Sequence, residues 1–280
     1  MKQKIRSVFG MLTAALLMLS GCEKKPDAPD IIGDFTITAL DVGKADAFVL
    51  RTASHTVVVD AGNKGDGKDI EKFLASQNIS KIDALIITHF DKDHVGGAAR
   101  LVKRLEIGTV YLPDYRSDSD EYENFEEKMA DAKLTPKICA TGSHTDWVYD
   151  DVTFSLDAAE KTDYGKNEEN DFSLSLYMQH GENTFLFAGD AEEDRQQEIM
   201  DYGYGGVTFL KFPYHGKYLP TTEAFLDHFK PQSTVVCCSE KEYAQEQTVA
   251  AFKKRGISAY YTADGDVTIV SNGKELKIAQ

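Results

Sequence analysis

The chain has 280 residues, 42% of them hydrophobic and 28% charged, with a formal net charge of −15. That length and balance are ordinary for a globular protein with a sizeable buried core. So acidic a body repels phosphate backbones unless a local patch or a bound metal reverses the sign, which argues against broad nucleic-acid binding.

The N-terminus stands apart from the rest. Lys2, Lys4 and Arg6 precede an apolar run over 8–19 that is too short to span a bilayer comfortably. A basic start, a short apolar stretch and small residues before a cleavage point describe a secretory signal peptide over 1–21. The ending Leu19, Ser20, Gly21, Cys22 resembles the bacterial lipobox. That resemblance implies a lipoprotein anchored in the bacterial cell membrane through Cys22 and facing the extracytoplasmic side. The alternative is a plain signal peptide with Cys22 incidental. Residues 22–33, with Pro26 and Pro29, read as a tether, and 34–280 as one folded domain. Loss of 1–21 removes three basic residues and no acidic one, so the remaining chain is more acidic still.

Strands are expected first, at 35–40, 47–52 and 56–60. The spacing of Ile70, Phe73 and Leu74 predicts a helix, and the run 84–87 a buried strand. After it come His89, Asp91, Asp93, His94, Gly96 and Gly97, and then helical spacing to Arg104. Two imidazoles and two carboxylates on one strand-to-helix turn can aim at a single point. Zinc and manganese accept that nitrogen-plus-oxygen set. A strand over 109–112 stops at Pro113, and the acidic stretch 114–131 packs a short helix through Phe125 and Met129 with its charges solvated.

Further strands are expected at 148–156, 173–178, 184–188, 209–213, 235–238, 267–270 and 276–278. Helices are expected after Asp190, over 221–229 and around 248–255, and 157–170 reads as an irregular loop. This suits two mostly β sheets packed face to face with helices outside, in two similar halves. Setting Cys22 aside leaves Cys139, Cys237 and Cys238, a poor disulfide framework; the last two read as core residues in an apolar strand. His55, His144, His180 and His228 read as surface or incidental. Asp60, Asp190 and His215 each follow a buried strand, where polar groups commonly line one cleft. Asp190 has an alternative role as a helix cap.

The segments LDVGKADA (40–47), VDAG (59–62), THFDKDHVGG (88–97), FAGD (187–190) and KFPYHG (211–216) run in order through about 35–280. Together they resemble the metallo-β-lactamase superfamily, in particular the hydrolase domain of ComEC-type DNA-uptake proteins and their free-standing relatives. The resemblance implies an α/β, four-layer αββα sandwich with one or two divalent metal ions, zinc or manganese, between the sheets. Carried over, His89 and Asp91 would bind one metal, Asp93 and His94 the other. Asp190 would bridge both, His215 would complete the second site, and Asp60 would orient the ligands from behind. The metals would activate water and polarise the scissile group, with Asp93 also orienting that water.

Several positions depart from the family pattern. Asp91 stands where histidine is commoner, which favours a harder ion. The third histidine of the first site has no match, and 169–173 (ENDFS) occupy its place. Tyr214 stands where the branch shows a histidine, and Lys44 where glutamine is more familiar, in a substrate or a turn role. Lys217 and Tyr218 adjoin the expected cleft, either to hold an anionic group or as exposed loop residues. Asp93, Tyr214 and Lys217 are thus the candidate catalytic residues. The reading is a secreted, lipid-anchored, metal-dependent hydrolase acting on an anionic phosphoester, in nucleic acid or an envelope polymer. A non-catalytic, metal-containing surface binding protein is the alternative, and a β-lactamase stands behind both.

Overall fold

A computed structural model describes residues 34–165 and 168–280, so the segments expected as signal peptide (1–21) and tether (22–33), with Cys22, lie outside the described residues. The chain begins with β1 (Phe35–Ala39), β2 (Ala47–Arg51) and β3 (Thr56–Ala61), antiparallel neighbours. It continues with β4 (Lys81–Ile86), β5 (Glu106–Pro113) and β6 (Lys137–Cys139), each parallel to the one before. A second sheet repeats the plan. Strands β7 (His144–Tyr149), β8 (Val152–Asp157), β9 (Ser175–His180) and β10 (Asn183–Phe187) pair antiparallel. Then β11 (Phe209–Lys211), β12 (Ser233–Val236) and β13 (Ser258–Tyr261) run parallel to β10. Finally β14 (Val267–Ser271) and β15 (Leu276–Ala279) return to extend the first sheet beyond β1. The repetition of this order is the two-halves arrangement expected from the sequence.

The alternation of strand side chains places the layers. Phe35, Ile37, Phe48, Val57 and Val59 of the first sheet share one buried cluster with Phe154, Leu176, Phe185, Phe187 and Phe209 of the second. Phe48 meets Phe187 at 4.7 Å between ring centres, and Phe35 meets Phe185 at 5.4 Å, edge to face. The opposite faces are also buried, which is why the central strands read as unbroken apolar runs. Ile70, Leu74, Leu101, Phe125 and Met129 of helices Gly67–Ser76, Ala98–Arg104 and Asp120–Asp131 cover the first sheet. Ile199, Phe225, Leu226 and Phe252 of helices Glu193–Asp201, Thr222–Phe229 and Glu246–Arg255 cover the second. The layers are αββα.

The structure corrects two expectations of local structure. The strand expected over 148–156 is a hairpin, because Asp150 turns the chain at φ 54° between β7 and β8. Asp tolerates that left-handed backbone, and apolar residues on both sides of the turn hid it. The short edge strands β6 and β13 had no sequence signal; their residues are mostly exposed or half-buried and lack a clean alternation.

Candidate metal centre

The candidate ligands stand mostly on loops that follow buried strands. Asp60 lies near the end of β3, and β4 leads to His89, β10 to Asp190 and β11 to His215. Parallel strands point their C-terminal ends the same way, so these loops gather at one rim. Backbone bonds lock them together. Asp46 N–H donates to the Asp93 carbonyl at 3.1 Å, Gly62 to Asp46 at 2.8 Å, and Gly97 to Gly62 at 3.2 Å. Gly97 is needed because a Cβ there would run into the Ala61 carbonyl and the Gly67 backbone. The second sheet is stitched on by Leu174 N–H to the Thr88 carbonyl (2.9 Å), and within the second sheet's own loops Asp190 N–H donates to Ser173 Oγ (3.0 Å).

Asp60 sets the orientation of His94. Its carboxylate accepts from Thr88 N–H at 2.7 Å, from the Thr88 hydroxyl at 2.8 Å and from His94 Nδ1 at 2.8 Å. That bond places the His94 proton on Nδ1 and leaves Nε2 facing inward, 3.4 Å from Asp190 Oδ2. His215 is fixed in the same way: its Nδ1 donates to the Cys237 carbonyl at 2.9 Å. Its Nε2 then lies 2.9 Å from Asp190 Oδ2 and 3.3 Å from Asp93 Oδ2. His89 lies beside His94, 4.0 Å between ring centres with the planes tilted by 47°, and its Nε2 is 3.7 Å from Asp91 Oδ2. Tyr214 and His215 both hold positive φ, 50° and 49°, a strained backbone that aims the imidazole into the cluster.

The Nε2 atoms of His89, His94 and His215 are buried and make no well-aligned hydrogen bond among the described residues; the same is true of Asp46 Oδ1. Buried polar atoms without partners are costly, so these are open donors to a cation. Asp46, His94, Asp190 and His215 each offer a ligand atom, all within 4.8 Å of one another. Nitrogen and carboxylate oxygen in this proportion fit a divalent metal ion.

Without a metal, the carboxylates hold protons on the imidazoles. Burial opposes the charge on His215, but Asp190 and Asp93 push its pKa up to about 9. His94 is likewise raised well above the usual imidazole value, against its burial, by Asp190, Asp60 and Asp46. Burial disfavours the Asp190 anion, yet His215, Lys211 and His94 hold its pKa well below the usual carboxylate range. Lys211 is almost completely buried; its ammonium bonds Asp46, the Gly189 carbonyl at 2.6 Å and Asp190 Oδ1 at 3.2 Å.

Asp93, His94, Asp190 and His215 thus converge, with His89 alongside, Asp60 behind His94, and Asp91 at the mouth. Helix capping does not claim Asp190, since the cap position of helix Glu193–Asp201 is Glu192. Sequence reasoning gave Asp46 and Lys211 no role, although both lie in segments it singled out. Their buried pairing across the two sheets was invisible in either segment alone. The mouth is a cleft of about 470 Å³ lined by Lys44, Asp91, Asp93, Glu169 and Tyr214, among others. Lys44 approaches Asp93 at 3.8 Å. Lys217 sits on the Tyr214 ring, 4.1 Å from its centre, and donates to its hydroxyl at 3.0 Å, so it faces the cleft only through Tyr214. Glu169 stands beside Asp91; burial and that neighbour push its pKa up to about 7. His180 is not a surface residue: it is fully buried, with Nδ1 2.8 Å from Ser271 Oγ.

Fold and site define a two-sheet protein with a cluster of residues able to hold a metal ion at the rim between the sheets. Residues 40–239 match the model of the metallo-beta-lactamase superfamily, and the chain belongs to that superfamily. ComE operon protein 3 of Bacillus subtilis (strain 168) is 27% identical over 172 residues, 59% of this chain and 21% of that protein. Competence protein ComA of Neisseria gonorrhoeae is 24% identical over 234 residues, 81% of this chain and 30% of that protein. The chain therefore spans less than a third of these relatives. Among solved structures, the metallo-beta-lactamase fold protein YhfI from Bacillus subtilis superposes with a TM-score of 0.53 at 11% identity. That match covers 88% of this chain and all of YhfI.

Proposed function

We propose that this protein is a metal-dependent hydrolase of phosphodiester bonds, with a nucleic-acid strand as substrate. The observation that carries the reading is the set of three buried, inward-facing Nε2 atoms beside Asp93 and Asp190. Such a donor set fits one or two divalent ions, zinc or manganese, and these supply Lewis acidity and a nucleophilic water when bound. His94, His215, Asp190 and Asp93 would hold one ion. His89 and Asp91 would hold the other, with Asp190 shared and Glu169 standing where the superfamily's third histidine is missing.

The chain's own groups do the remaining work. Asp60 keeps the His94 proton on Nδ1, Lys211 holds Asp190 ionised, and Asp93 orients the attacking water. Lys44 and Tyr214 line the cleft where the anionic substrate sits. The resemblance to DNA-uptake proteins supports nucleic acid over an envelope polymer. The basic start, short apolar run and Leu-Ser-Gly-Cys ending support secretion, lipidation at Cys22 and attachment to the outer face of the cell membrane.

The test is turnover of bis-p-nitrophenyl phosphate by purified protein with added Mn²⁺ or Zn²⁺. Wild type is expected to release nitrophenolate, and the Asp93→Ala, His94→Ala double variant is not. Equal rates from both would refute the reading. A chromogenic cephalosporin is expected to remain intact.

A further inference from the structure

A second cavity, of about 550 Å³, lies on the flank of the metal turn and is lined by Lys64, Gly96, Arg100, Lys103, Arg104 and Lys128, with Ala99 and Asn124. Five cations and no acidic side chain surround one space in a chain of net charge −15. They come from three separate segments: the loop after β3, helix Ala98–Arg104 and helix Asp120–Asp131. Helix-dipole compensation accounts for Lys103 and Arg104, in the last turn of their helix. It accounts likewise for Lys128, in the last turn of its own helix, but not for Lys64 or Arg100 facing the same space.

The groups are held in place. Glu71 accepts from Arg100 through Nε at 2.7 Å and Nη2 at 2.6 Å and from Arg104 Nε at 3.2 Å, which leaves Nη1 of Arg100 and both Nη atoms of Arg104 for an anion. Lys128 bonds Glu127 and Asp131, both exposed, in pairs weak enough to yield to a phosphate. Gly96 packs so closely on Lys64 that a Cβ would meet the Lys64 backbone nitrogen, so the loop is fixed to the metal turn.

This cavity and the metal cleft are neighbours along two shared elements. Lys92 lines the cleft and Gly96, one helical turn on, lines the basic cavity. Glu121 lines the cleft, while Asn124 and Lys128 on the same helix line the cavity. At 1.5 Å per residue these steps are about 5–10 Å, a distance that nearby phosphates of one chain can bridge.

We propose that this basic cavity binds backbone phosphates of the single nucleic-acid strand whose scissile phosphodiester lies in the metal cleft. The proposal rests on the phosphodiesterase reading above and adds where the strand runs. No aromatic ring lines the cavity, so it offers no stacking platform and contacts the backbone without regard to sequence. It is the local patch that reverses the sign of an otherwise repelling surface.

The test is binding of a fluorescent oligothymidylate in the presence of a chelator, by anisotropy across a salt series. The Lys64→Glu, Lys103→Glu double variant leaves the Glu71 pairs intact. It is expected to raise Kd at least about tenfold and to flatten the salt slope by about 1.4, roughly 0.7 for each of the two contacts removed. Its turnover of bis-p-nitrophenyl phosphate, which is too small to reach the cavity, is expected to match wild type. Equal Kd for the two proteins would overturn the proposal. So would wild-type affinity for polyglycerol phosphate but not for the oligonucleotide. Failure of the small-substrate assay in wild type would instead count against the phosphodiesterase reading, since the binding measurement needs no turnover.

Discussion

Asp60→Asn probes how a residue standing behind the metal ligands prepares one of them, His94. Asparagine has nearly the same shape and tolerates the φ of 58° at this position. The carboxylate accepts three bonds, from Thr88 N–H, the Thr88 hydroxyl and His94 Nδ1, at 2.7–2.8 Å. An amide offers one oxygen for these three donors and turns its own NH₂ towards at least one of them. His94 thereby loses a charge-assisted bond and the force that keeps its proton on Nδ1. Loss of such a partner typically costs 10–100-fold in metal affinity, about 1.4–2.7 kcal/mol.

The size of the effect depends on pH. Asp60 strengthens His94 Nε2 towards a proton as well as towards a metal, so the two losses partly cancel where the imidazole is protonated. The deficit should therefore widen from neutral to higher pH, as proton competition at His94, raised well above the usual imidazole value by Asp190, Asp60 and Asp46, fades. Competition with a chromophoric chelator measures it directly. Metal affinity within twofold of wild type at the higher pH would refute this account of Asp60.

Four further outcomes follow from the structure. In metal-free protein, His215 titrates at about 9 instead of the ordinary imidazole value. Its stabilisation is therefore complete below about pH 6.5 and is lost as pH rises through about 9, which urea midpoints of chelated protein will show. Metal binding below that range must expel protons, which calorimetry in buffers of different ionisation enthalpy will detect. Lys211→Met leaves Asp46 and Asp190 buried without their ammonium. It should destabilise the metal-free protein by about 3–5 kcal/mol, with partial recovery on adding a divalent ion, as followed by urea unfolding. Phe187→Ala opens a cavity opposite Phe48 between the sheets and should cost about 3–5 kcal/mol with the metal ligands untouched, as followed by the same unfolding.

The sequence alone determined the superfamily, most of the central strands and covering helices, and the turn carrying His89, Asp91, Asp93 and His94. Those are local properties: apolar runs of strand length, helical spacing after Gly97, and metal-binding residue types crowded into six positions. It also placed Asp190 and His215 correctly at strand ends. Tertiary structure decided what no single segment carries. Asp46 and Lys211 are 165 positions apart in the chain and became a buried ion pair only when the two sheets were packed. The β7–β8 turn depended on which side of Asp150 each apolar residue buries, a choice made by the sheet and not by the residues. The basic cavity has the same origin. Lys64, Lys103 and Lys128 look like scattered solvated charges in the chain, and only the packing of a loop and two helices on one sheet gathers them around a common space.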